Sequence, residues 1–349
     1  MLKNTEQSYQ LQWNKLFQQL IHRINLSKWP LLCECISEFL GTTLYMIIGL
    51  GVIIQTSIGQ LNNQHISQLM STSIGWGIAE LTGLLISTIG RKQLGYINPS
   101  LIFAYCFIGK LSFRYLLPFT LFQLIGSILG TFIIISVYYE NIHMYKLSMK
   151  SYEKLQNNFT GSLLITSPGV SHHTCLITHI LSFAIFTGII LVINNNNNNN
   201  DNNNNDNYYL PKELQPMYIG ILVSGIIASL CLNIDSGLNP IRDLGARIAI
   251  SLYGWDIQAF QANNYYFWIP VIGPYLGAVI GSLFYEFTVG LCLPLSILDH
   301  HQHEHHLDDG DIINSTEDCF QSSLAEEMNE DLFDMTEIED YFTDVDDSL

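Results

Sequence analysis

Six stretches of the chain, roughly residues 33–57, 69–90, 115–139, 175–194, 214–234 and 264–286, stay apolar over the ~20 residues that a helix needs to cross the hydrocarbon core of a bilayer. Few folds are open to such a chain. In lipid each backbone N–H and C=O must be bonded inside the protein, and a bundle of helices does this within every span. Charged residues make up 13% of the sequence against 48% hydrophobic, too few charges for an ordinary soluble protein of 349 residues. The expectation is an all-α membrane protein with six transmembrane helices, which places both chain ends on one side. Two further apolar pieces, 98–109 and 239–252, are about half the crossing length and are read as re-entrant segments. Each begins with Asn-Pro: Asn98-Pro99 and Asn239-Pro240.

The formal charge of -17 is concentrated at one end. From Asp299 onward there are 18 Asp and Glu and no Lys or Arg, which leaves 13 acids against 14 bases in the rest of the chain. The sequence therefore divides into an N-terminal segment 1–30, a nearly neutral apolar domain 31–292 and an acidic tail 293–349 that is expected to be disordered, being too poor in apolar residues to offset its ordering entropy. Lys3, Lys15, Arg23, Lys28, Arg91, Lys92, Lys110, Arg114 and Lys212 fall on the side of the N-terminus, and only Lys146, Lys150 and Lys154 opposite. By the positive-inside rule both termini are cytosolic, in a multi-pass protein assigned to the plasma membrane. The first thirty residues lack the small-residue cleavage site of a signal peptide. Loop 140–174 is then extracellular, and its Asn158-Phe159-Thr160 is a glycosylation acceptor on the proper side, although such a triplet is also frequent by chance. The cytosolic Asn-rich run 194–207 reads as a tolerated loop expansion. Seven cysteines without CxxC pairs imply no disulfide framework.

The two Asn-Pro pairs are 141 residues apart, each after one span of a three-span set. The domain thus reads as two halves, about 31–139 and 175–292, and an odd number of spans per half makes them inverted. The two short segments then enter from opposite faces and meet near the midplane. Asn is a favoured helix N-cap and Pro a favoured first helical residue, so Asn-Pro starts a helix where it stands. The cap oxygen accepts from backbone N–H, which leaves the side-chain amides of Asn98 and Asn239 to donate toward a passing oxygen. Two facing helix N-termini also concentrate positive potential, which opposes protons and cations and leaves water and neutral hydroxyl-bearing solutes.

Over approximately residues 31 to 292 the sequence resembles the major intrinsic protein family, the aquaporins and glycerol facilitators. The motifs that carry the resemblance are "SEFLGT" (37–42), "FQLIGSILGTFIIISVYY" in the third span and "SGLNPIRDLGARIAISLYGW" at the second Asn-Pro box. The resemblance implies a bundle of six tilted helices and two half-helices with a pore in each protomer, assembled as a homotetramer. Pro99 with Ser100, and Pro240 with Ile241, complete the two boxes. Arg242 stands at the family's filter arginine, and a charge at that depth is tolerable beside a water-filled path. Asp243, Arg247 and Pro270 with Val271 resemble the glycerol-facilitator branch.

The filter departs from the family pattern. Trp76 supplies an apolar wall, with Ile78 as the alternative because this stretch carries two extra residues before Asn98. Ser236 stands where an aromatic is usual, and Ile227 where glycerol channels often have Gly and water channels His. Ser100 replaces the usual Ala and adds a hydroxyl able to bond within the half-helix, and Tyr96 replaces a loop His. Glu38 is expected to accept bonds from the first re-entrant loop. His179 takes the equivalent place for the second loop, where Glu is usual, and its loop support is read either as pH-dependent or as that of a plain buried His. Glu80, inside the second span, packs within the bundle, lines a path or touches another subunit.

The tail gathers His300, His301, His303, His305 and His306 with carboxylates, donor types that suit zinc, copper or nickel, but the spacing is irregular and a solvated tract is the preferred reading. No cofactor, nucleic acid or enzyme chemistry is expected. The reading is a passive channel for water, glycerol and other small uncharged solutes in membrane lipid. A mainly water-selective or broadened pore is the alternative within that class, and a non-conducting scaffold displaying its acidic tail is the alternative outside it.

Overall fold

Each apolar window forms one long helix, since a run of Leu, Ile, Val and Phe without charges leaves the backbone to bond to itself. In the computed structural model, which describes residues 13–16, 28–61, 68–89, 91, 94–151, 160–195, 211–255 and 257–292, the long helices are α1 (Pro30–Leu61), α2 (Gln68–Ser87), α4 (Leu116–Val137), α6 (His172–Asn195), α7 (Gln215–Leu230) and α10 (Ile269–Thr288). Six segments among the described residues are long and apolar enough to cross a membrane, and the protein is a multi-pass membrane protein. Prolines at the entries of α1, α7 and α10 lack the N–H that would go unbonded in a first turn. Four shorter helices lie between the long ones: α3 (Pro99–Phe107), α5 (Tyr139–Ser151), α8 (Pro240–Ile250) and α9 (Gln258–Tyr265).

The surface is inverted relative to a soluble protein. Ile78, Leu85, Ile125, Ile177, Leu181, Ile221 and Phe284 are exposed, while Glu38, Glu80, Gln123, Arg242, Asp243 and Arg247 are buried. An apolar exterior around a polar interior is what lipid outside and hydrogen-bonding groups inside require. Small residues let the helices approach closely. A Cβ on Gly220 of α7 would stand 2.6 Å from the Gly77 carbonyl oxygen of α2, and one on Gly277 of α10 would stand 2.5 Å from the Ile180 carbonyl oxygen of α6. Interfaces of this kind carry association where the tails are as apolar as the helices. The short helices pack across the chain: α3 on α10 as well as α4, and α8 on α4 as well as α10.

Two segments differ from the expected pattern. Residues 140–151, read as the start of a loop, belong to the helix α5, which is held to the bundle by buried Ile142, whose N–H bonds to the Tyr138 carbonyl. Within the last crossing segment, Gln258–Thr288, the continuous helix α10 starts at Ile269, because Asn263, Asn264 and Tyr265 turn left-handed (φ 53°, 55° and 61°), a region that Asn tolerates better than most residues.

Candidate functional site

α3 and α8 start at their Asn-Pro pairs with matching geometry. Asn98 is extended (φ -146°, ψ 116°) and its Oδ1 accepts from the Ser100 N–H at 3.1 Å. Asn239 is likewise extended (φ -128°, ψ 118°) and its Oδ1 accepts from the Ile241 N–H at 3.1 Å. Each amide then crosses to the other loop: Asn98 Nδ2 donates to the Leu238 carbonyl at 3.2 Å and Asn239 Nδ2 to the Ile97 carbonyl at 2.8 Å. The N-terminal ends of α3 and α8 therefore abut. One N–H of each amide is taken by this exchange; Asn98 keeps one donor, and the Asn239 side chain also bonds to the Tyr45 hydroxyl. The buried Ser100 hydroxyl, able to bond within its half-helix, makes no hydrogen bond among the described residues.

Presenting the Ile97 carbonyl to Asn239 forces a β-branched residue to φ 43°, a strained conformation that persists only where its surroundings impose it. Glu38 does so. Its Oε1 accepts from the Tyr96 N–H (2.9 Å) and Arg91 Nη1 (2.6 Å), and its Oε2 from the Ile97 N–H (2.8 Å) and Gln123 Nε2 (2.8 Å). The Arg91 guanidinium lies 4.7 Å from the centre of the Phe119 ring.

The second loop is held differently. His179 donates from Nδ1 to the Cys175 carbonyl one turn back on α6 (2.9 Å), and its Nε2 abuts Gly237 without a well-formed hydrogen bond. The loop support expected of His179 is thus a contact, not an accepted hydrogen bond. A Cβ on Gly237 would stand 2.8 Å from Nε2 and 3.2 Å from the Ile234 carbonyl oxygen. Gly237→Ala is therefore expected to destabilise the protein by about 1–3 kcal/mol. In a His179→Ala background it should cost clearly less, read as a double-mutant cycle of thermal unfolding in detergent. Equal costs in both backgrounds would remove the contact as the cause.

Polar anchoring of this region comes from the first turns of α8. Asp243 accepts from Thr166 N (2.8 Å), Thr166 Oγ1 (2.7 Å) and Arg247 Nε (2.5 Å). Arg247 also donates to the Thr166 carbonyl (3.1 Å) and the Ala259 carbonyl. Ser127 of α4 donates to the Ile241 carbonyl at 2.9 Å.

Arg242 is fully buried one turn into α8. It donates to the Leu164 carbonyl and to Ser236 Oγ, both at 3.3 Å, and its Cζ lies 5.0 Å from the centre of the Trp76 ring. Trp76 in turn packs on Tyr45, with ring centroids 5.0 Å apart. The structure brings Trp76, Ser236 and Arg242 together. Ile78 is half exposed on the far side of α2 and is no wall of this group. Ile227 and Pro270 are buried on α7 and in the first turn of α10. Asn158 and the five tail histidines lie outside the described residues.

Sequence reading missed Thr166, Gln123, Arg91 and Tyr45. Nothing local marks the first three, whose partners are 77, 85 and 53 positions away.

A family model described as Major intrinsic protein matches residues 25–285. The chain is similar to Aquaporin-9 of Homo sapiens, 28% identical over 79% of this chain and 88% of that protein, and to Aquaporin-9 of Mus musculus, 31% identical over 76% and 85%. It is also similar in fold to the X-ray structure of the aquaglyceroporin from Plasmodium falciparum, with a TM-score of 0.61, 22% identity and coverage of 75% of this chain and 98% of that one.

Proposed function

The chain belongs to the major intrinsic protein family, a family of channels and not of catalysts, and from that premise we propose that it conducts water, glycerol and other small uncharged solutes passively. The observation that carries this reading is the reciprocal Asn exchange, which sets the two caps face to face, spends one amide N–H of Asn98 and of Asn239 on structure and leaves the other N–H of Asn98 for a permeant oxygen, while the Tyr45 hydroxyl lies against the Asn239 side chain. On this reading α3 and α8 are re-entrant half-helices of two inverted halves. The swap by which each packs on the other half's last long helix supports it. Arg242, stacked on Trp76 and bonded to Ser236, is the filter, to which Ile227 of α7 is assigned as well. Arg242 donates to solute oxygens, and Trp76 takes the carbon side. The positive ends of two helices and a guanidinium together oppose cations and protons.

Asp243, Arg247 and Pro270 favour the glycerol-conducting branch. Ser236 favours a filter wider and wetter than an aromatic would give, so a broadened pore is the second reading. A homotetramer in the plasma membrane, with a cytosolic N-terminal segment 1–30 and acidic tail 293–349 flanking the channel domain 31–292, completes the proposal.

Proteoliposomes holding the full chain are expected to swell in a glycerol gradient and to hold their volume in sorbitol. Ser236→Phe narrows the filter and should reduce glycerol permeability about tenfold, which corresponds to about 1.4 kcal/mol of barrier. Folded protein that passes neither water nor glycerol would sink the channel reading, and free passage of sorbitol would replace glycerol selectivity by the broadened pore.

A further inference from the structure

Glu80 is the buried charge-bearing residue that the architecture leaves unused. It lies on α2 four residues after Trp76, so the two side chains share one face of the helix a turn apart. Glu80 is 4% exposed and Trp76 1%, whereas Ile78, on the opposite face, is 50% exposed. Trp76 packs under the Arg242 guanidinium and against Tyr45. The Tyr45 hydroxyl lies beside the Asn239 side chain and in electrostatic range of both Glu80 and Arg242. Glu80 therefore belongs to the stretch between the filter group and the paired Asn caps.

No hydrogen bond or ion pair from any described residue reaches its carboxylate, in contrast to Glu38 with its four donors. The neighbouring Trp76 Nε1–H is also without a partner among the described residues. A carboxyl group closed inside protein without a partner is strongly disfavoured, and one at membrane depth is tolerated where it meets water or solute. The donors of this stretch are the Arg242 guanidinium, Trp76 Nε1–H and the remaining amide N–H of Asn98, while the hydroxyls of Ser236 and Tyr45 are engaged with Arg242 and with the Asn239 side chain. The Ile97 and Leu238 carbonyls are already taken by the Asn exchange.

We infer that Glu80 is a specificity-determining residue of the permeant path. Its carboxyl oxygen accepts hydrogen bonds from a solute whose own oxygen faces Arg242 and the Asn98 amide, and so it favours small neutral solutes rich in N–H or O–H donors. This rests on the channel reading above.

The test compares wild type, Glu80→Gln and Glu80→Met in proteoliposomes of the full chain, with urea and glycerol as probes and each solute permeability divided by the water permeability of the same vesicles. Met keeps the length of the side chain without an acceptor, and removes a buried carboxyl in a way that does not threaten folding. Glu80→Met is expected to lower both ratios about fivefold, the effect of one lost hydrogen bond, while Glu80→Gln, which keeps an amide oxygen in place, retains more than about half of each wild-type ratio. Ratios in Glu80→Met within about twofold of wild type overturn the proposal, as does a fall in Glu80→Gln as deep as in Glu80→Met. Wild-type protein that passes neither water nor solute removes the channel reading and the proposal with it. Wild-type flux with unmoved ratios removes the proposal alone.

Discussion

Asp243→Ala is expected to lower the stability of the protein by about 3–5 kcal/mol, the cost of leaving a buried charge without its counterion. Asp243 and Arg247 are both fully buried and one helical turn apart on α8, and the carboxylate also holds the N–H and hydroxyl of Thr166. Without it, Arg247 keeps carbonyl partners at Thr166 and Ala259 but has no anion. In detergent the unfolding midpoint should drop by about 6–20 °C, taking about 2–4 °C per kcal/mol for a domain of this size. The paired replacement Asp243→Leu with Arg247→Met should recover a large part of the loss, because an apolar pair of similar volume avoids the cost of burying both charges. A single mutant within about 2 °C of wild type would show that water reaches Arg247 and that the pair is not sealed.

Glu38 carries the second large effect, and here the conservative substitution is the informative one. Each carboxylate oxygen receives two donors: Arg91 and the Tyr96 N–H on one, the Ile97 N–H and Gln123 on the other. Whichever way a glutamine amide is turned, its NH2 faces two donors and can accept from neither. Glu38→Gln is therefore expected to be nearly as damaging as Glu38→Ala, again by about 3–5 kcal/mol, since buried donors lose their acceptor and Arg91 is left with Glu34 at 3.6 Å as its carboxylate. Strain at Ile97 should relax in both, freeing its carbonyl from Asn239, so glycerol swelling should fall more steeply than the yield of folded protein. Thermal unfolding and swelling on the same preparations check this. A Gln variant close to wild type in both would mean that the four donors are not held simultaneously.

Much of this architecture could be read from the chain because it is written locally. A helix across lipid must be a long apolar run, and the six windows announce themselves to within a few residues. Asn-Pro starts a helix by its own chemistry, so the entries of α3 and α8 were also legible. What escaped depends on residues that meet only after folding. The polar helix α5 has no apolar stripe to mark it, and among its residues of described burial Ile142 is the buried anchor. Thr166 is one more threonine in a loop until Asp243 arrives beside it. His179, expected to support the second loop, bonds through its ring to its own helix, while Asp243 and Arg247 anchor the first turns of α8. The choice between Trp76 and Ile78 needed the orientation of α2, which two extra residues ahead of Asn98 obscure in the sequence and burial resolves.

The reciprocal bonds between Asn98 and Leu238, and between Asn239 and Ile97, also set a timetable for biosynthesis. These partners are 140 and 142 residues apart in the chain. At about 5–20 residues per second of translation, the first Asn-Pro segment waits on the order of ten to thirty seconds before its counterpart exists. During that interval α3 has its cap but not its cross-strap, and Ile97 has no reason to hold its strained conformation. The first half of the protein is therefore made as an open precursor that only the second half can close, and a nascent chain stopped before residue 239 is expected to expose to chaperones and proteases the polar seam that the finished bundle hides.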